Sequence, residues 1–119
     1  MSRLFDAEVA LLGELLVQPS ATTVRLHGEL DLVTADALRA LLAEAASEEP
    51  AKVVVDITDV PFVDVISLST ILAAADAMRE RDTPLIVVGA SQSVRRLFEV
   101  LNAQDVLAPA LPMPRLASS

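Results

Sequence analysis

Between residues 22 and 28 apolar and polar side chains alternate: Val24 and Leu26 fall on one side, Thr23, Arg25 and His27 on the other. That two-residue period predicts a half-buried strand, with His27 on its solvated face, and Gly28 ends it. The period then lengthens. Leu38, Leu41, Leu42 and Ala45 recur at helical spacing while Arg39, Glu44, Glu48 and Glu49 lie off the stripe, which predicts a helix over residues 35–47. Thr34 is placed to cap it, its hydroxyl accepting from the amides of the next turn, and Asp36 suits the positive end of the helix dipole. Pro50 stops it.

Lys52-Val53-Val54-Val55-Asp56-Ile57 is a β-branched run of the kind buried on both faces of a sheet, and Pro84-Leu85-Ile86-Val87-Val88-Gly89 reads as another buried strand. Between them Asp64 is the expected N-cap of a second helix carrying Leu68, Ile71, Leu72, Ala75 and Met78. Ser91 is positioned to cap a third, with Val94, Leu97, Phe98 and Leu101 on one side. Residues 6–18 read two ways: Val9, Leu11, Leu12, Leu15, Leu16 and Val17 suit either a short helix capped by Asp6 or an edge strand. Pro19-Ser20-Ala21 then makes a turn. Residues 108–119 carry three prolines and no periodicity, which predicts an extended or frayed tail. Strands alternating with helices define an α/β layer architecture.

The 119 residues suit one domain with a single core. Absence of cysteine removes disulfides, thiolate nucleophiles and sulfur ligands, and one histidine cannot build a histidine metal cluster. A formal charge of −8 opposes nucleic-acid binding, which depends on Lys and Arg neutralising phosphates. No apolar run approaches the roughly twenty residues of a bilayer span, and the start lacks the layout of a secretory signal, so a cytoplasmic protein is expected. No Ser/His/Asp set and no Gly-rich phosphate loop can be assembled, so neither an enzyme nor a cofactor is expected. The acidic pairs Asp56/Asp59 and Asp31/Asp64 are read as solvated carboxylates rather than as a metal site.

Two stretches carry more. Gly28-Glu29-Leu30-Asp31-Leu32-Val33-Thr34-Ala35 and Phe62-Val63-Asp64-Val65-Ile66-Ser67-Leu68 together resemble the conserved pattern of STAS domains, most closely the bacterial anti-sigma-factor antagonists. The resemblance runs from about residue 21 to residue 107. It implies a single STAS-like domain over residues 1–107, with a small mixed sheet and helices packed mainly on one face. In that family the second stretch usually reads Asp-Ser-Ser/Thr-Gly-Leu, and the first Ser is phosphorylated by the partner anti-sigma kinase, which abolishes binding. Here Val65 stands at the acceptor position, Ile66 follows it, and Ser67 replaces the Gly; Asp64 and Leu68 are retained. Valine has no hydroxyl, so that switch is absent.

The resemblance implies a partner-binding surface of Asp31, Asp64, Val65, Ile66 and Ser67. One of Val65 and Ile66 is expected to be buried and the other exposed. Ser67 is expected to place a hydroxyl where the family leaves room, limiting the approach of a partner backbone. Ser67, Ser69 and Thr70 are the weaker candidates for a displaced phosphorylation site, since a helix sets them at other rotations and depths. The implied function is a regulatory protein that binds an anti-sigma factor, an ATP-binding kinase-like protein, and so frees a sigma factor. The alternatives are a STAS scaffold or transporter-associated module that docks other STAS proteins, and a nucleotide- or small-ligand-binding domain.

Overall fold

The computed structural model describes the backbone of residues 2–6 and 12–108 and the side chains of residues 13–108. Val9 and Leu11 of the ambiguous stretch, and the tail from Pro109 onward, lie outside the described residues. Five strands, β1 (Ser2–Asp6), β2 (Leu12–Val17), β3 (Thr22–His27), β4 (Val53–Asp59) and β5 (Leu85–Val88), form one sheet in sequence order. Leu12–Val17 is therefore a strand, and Asp6 closes β1 instead of capping a helix. The edge position belongs to β1, with β2 inside the sheet.

β1, β2 and β3 pair antiparallel, whereas β3, β4 and β5 pair parallel. Antiparallel neighbours need only a tight turn, and β2 meets β3 through one in which Gln18 and Ala21 exchange backbone hydrogen bonds of 3.0 and 3.3 Å. Parallel neighbours need crossovers. These are α1 (Ala35–Ser47), joining β3 to β4, and α2 (Val65–Arg79), joining β4 to β5. α1 has the limits its stripe predicts, and beyond it Glu49 takes a left-handed backbone just before Pro50. α3 (Gln92–Val100) follows β5 and is capped by Ser91, whose Oγ accepts from the Val94 amide at 3.2 Å.

Leu15, Val24, Leu26, Val55, Ile57 and Val87 bury one face of the sheet against Leu38, Leu42, Leu68 and Ile71 of the helices. Among the described residues no helix covers the opposite face. β4 and β5 are consequently not buried on both sides: Val54, Asp56, Ile86 and Val88 are only half-buried. That open face carries a charge ladder across three neighbouring strands, with Arg25 at 3.7 Å from both Glu14 and Asp56. Burial pushes the Asp56 carboxyl upward, but the Thr58 hydroxyl and amide and the Arg25 guanidinium together outweigh it and hold the group below its usual value. Asp59 instead meets His27 Nδ1 at 3.2 Å. The Asp56/Asp59 pair is thus divided between two different partners.

Gly89 shows why the exit from β5 is sequence-specific. Its φ is +82°, and a Cβ there would lie 2.2 Å from Thr58 Oγ1 and 2.8 Å from the Thr58 nitrogen, so both strain and space exclude a side chain.

Candidate functional site

The two singled-out stretches form the loops that leave β3 and β4 at the same end of the parallel strands. Gly28, with φ +98°, turns the chain out of β3. The loops are then tied together by backbone. Leu30 N–H donates to the Phe62 carbonyl and Asp64 N–H donates to the Leu30 carbonyl, both at 2.9 Å, and Leu30 and Val63 form an isolated parallel bridge. Both side chains at this bridge are buried.

Thr34 does not cap α1 with its hydroxyl. Fully buried, its Oγ turns back into the loop, accepting from the Asp31 amide and donating to the Glu29 carbonyl, each at 3.0 Å. Asp31 completes the turn: its carboxylate accepts from the Val33 amide at 3.0 Å and the Thr34 amide at 3.2 Å. This is the Asx arrangement in which a short acidic side chain folds its own backbone. Its consequence is that Leu32 and Val33 at the tip point outward.

Asp64 caps α2 as the sequence predicts, accepting from the Ser67 amide at 2.7 Å. Ser67 is fully buried, and its hydroxyl lies 3.4 Å from the Asp31 carbonyl. The expectation of Ser67 on a contact surface is corrected: the helix turns that position toward the first loop, where the hydroxyl links the two stretches from inside. As folded it presents no hydroxyl to a kinase. Ser69 is exposed and Thr70 half-buried, the latter donating to the Ile66 carbonyl at 3.0 Å.

Val65 and Ile66 are both exposed, at 51% and 47%, so the split expected between them does not occur. As the first two residues of α2 they precede the turn at which the helix meets the sheet. Leu32, Val33 and Phe62 are also exposed, at 68%, 66% and 49%. These three lie outside the surface that the resemblance implies, which is confined to positions 31 and 64–67. The signal available was a pair of large apolar residues enclosed by Asp31 and Thr34, in a segment with no helical or strand period to bury them.

The two stretches thus expose five apolar side chains, flanked along the chain by an acidic margin of Glu29, Asp31 and Asp64. It offers no nucleophile paired with a base. Among the described residues no three His, Asp or Glu side chains gather in a way that could hold a metal, and no helix is long and apolar enough to cross a membrane. Large apolar side chains exposed together on fixed loops are of the kind that mark interaction surfaces in soluble proteins.

The STAS domain family model matches residues 14–115, and the chain belongs to that family. It is 29% identical over 80 residues to the anti-sigma-B factor antagonist of Listeria monocytogenes, covering 67% of this chain and 70% of that protein. Its fold matches an anti-sigma factor antagonist from Mycobacterium paratuberculosis with a TM-score of 0.74 at 22% identity, over 90% of this chain and 92% of the other. It also matches the anti-sigma factor antagonist SpoIIAA in its unphosphorylated form, with a TM-score of 0.71 at 20% identity, over 83% and 88% of the two chains.

Proposed function

We propose that this chain is an anti-sigma factor antagonist that acts in the cytoplasm by binding, not by catalysis. It engages an anti-sigma factor, an ATP-binding kinase-like protein, and so frees a sigma factor. The carrying observation is the exposed apolar group Leu32, Val33, Phe62, Val65 and Ile66, displayed on the two clamped loops. An apolar centre of this kind gains free energy when a partner removes it from water, and the acidic margin favours a partner whose matching patch is rimmed by Lys and Arg.

Val65 occupies the position of the phosphate acceptor in the STAS antagonists that this chain resembles. With no hydroxyl there, with Ser67 turned inward and with Ser69 and Thr70 set at other rotations along α2, association is not reversed by the partner's kinase activity. Occupancy then follows the abundance of the two proteins and of competitors. Asp31 and Asp64 serve chiefly by shaping the loops, while the apolar side chains supply affinity.

Isothermal titration of the chain against a candidate anti-sigma factor, with and without ATP, tests this reading. Equal affinity in both conditions and unmodified protein by mass spectrometry are expected. Phe62→Ala or Ile66→Ala weakens binding by about tenfold or more if these are central anchors, and Val65→Asp by a similar factor through a buried unpaired charge. Loss of binding on addition of ATP, with a phosphate on this chain, contradicts the proposal. So does affinity that none of the three substitutions alters.

A further inference from the structure

On the side of α1 and α2 turned away from the sheet, a cleft of about 650 Å³ runs between the two helices. That volume lies within the range of small-molecule sites, roughly 300–1,000 Å³. The cleft is lined from Val65 and Ile66 at one end to Arg81 just past the other end of α2, a length of about 22 Å at the helical rise of about 1.5 Å per residue. The cleft is open along its outer side, long and lined by short side chains, a form that suits a slender ligand laid lengthwise between the helices. An extended hydrocarbon chain has that form.

The lining favours the same occupant. Ala43, Ala46, Ala73, Ala74 and Ala77 form walls whose side chains are too short to fill the space between the helices. Leu42 and Met78, both buried, lie beneath them. The Thr70 hydroxyl is already taken up by the Ile66 carbonyl, which leaves Ser69, near the Val65 end, as the uncharged polar group of the lining. Charge is confined to two arginines, and they differ. Arg39 lies 2.6 Å from the Asp36 carboxylate, which offsets it. Arg81 donates one bond to the Ala46 carbonyl at 3.3 Å, and a guanidinium has five N–H donors. The cleft is therefore predominantly apolar between its ends, open onto Val65 and Ile66 at one end and cationic at the other.

We infer that this cleft binds a single-chain carboxylate amphiphile of the fatty-acid class, its carboxylate on Arg81 and its hydrocarbon directed along the alanine walls toward Val65 and Ile66. The inference rests on the cleft alone and stands or falls separately from the identity of any protein partner. Charge complementarity fixes the orientation, because Arg81 is the cation at the end where the apolar lining stops.

Isothermal titration with sodium dodecanoate below its micellar concentration, alongside ¹⁵N amide spectra of the full chain, tests the site. One saturable site is expected, with shifts at Ala43, Ala73 and Ala77. Each pair of methylenes removed from the ligand weakens binding by roughly tenfold, since each contributes by its burial. Arg81→Gln weakens dodecanoate about tenfold, through loss of a charge-assisted contact, and leaves dodecanol unchanged. Ala73→Phe blocks the channel from an exposed helix position, and Ala77→Phe is an independent block should the first variant misfold. The assignment is overturned by no binding of monomeric dodecanoate, by affinity indifferent to chain length, or by binding that survives both Phe substitutions in folded protein. Association with phosphatidylglycerol vesicles alone, without uptake of monomeric dodecanoate, also overturns it.

Discussion

At the scale of single residues, the two aspartates of the site are structural before they are anything else. Asp64 satisfies an amide at the start of α2 that no helical carbonyl reaches, and Asp64→Ala is expected to cost about 1 kcal/mol in urea unfolding. Asp31 and Thr34 hold the first loop through bonds to its own backbone, and Thr34→Val leaves the Asp31 amide and the Glu29 carbonyl without that partner, at a cost of about 1–3 kcal/mol by the same measurement. The capping roles of Asp64 and Ser91 were legible because a cap is a local event, written within three residues. That of Thr34 was not. Its hydroxyl chose among an amide ahead and two groups behind, and the choice depended on a loop whose course is set by pairing with residues 62–64. The inward turn of Ser67 has the same origin, since it is the first loop that closes over it.

At the scale of elements, periodicity located all three helices and the parallel strands, because apolar spacing records which side of an element meets the core. It overstated the burial of β4 and β5. A run of β-branched residues fits a strand covered on both faces, but whether a second layer exists is a property of the whole chain and leaves no trace in one segment. The stretch at residues 12–17 stayed ambiguous for a related reason: short apolar runs satisfy either period until a neighbouring strand claims them. α3 packs chiefly through Val94 and Phe98, while Val100 and Leu101 remain exposed. Phe98 therefore dominates the attachment of this helix, and Phe98→Ala is expected to destabilise the domain by about 3–5 kcal/mol, measured by chemical denaturation.

At the scale of the whole molecule, the sheet separates two environments, one face buried under the helices and the other crossed by the Glu14–Arg25–Asp56 ladder. Because Asp56 is held below its usual value in the fold, its ionised form contributes stability that is present above the unfolded value and lost as pH falls through the folded one. Asp56→Asn should accordingly lower stability near neutrality, with the gap to the parent chain closing below about pH 4, as unfolding followed across pH will test. The backbone clamp at Leu30 and Val63 has a different reach. Its bonds use no side-chain polar group, so they are indifferent to which residues project from the loop tips, yet they require that each loop keep its length. Substitution at positions 32, 33, 62, 65 and 66 should thus cost the fold little, whereas a one-residue insertion in either loop breaks the pairing. Divergence among related chains should accordingly appear as altered lettering on loops of constant length, and the chemistry of this surface can drift without the fold being renegotiated.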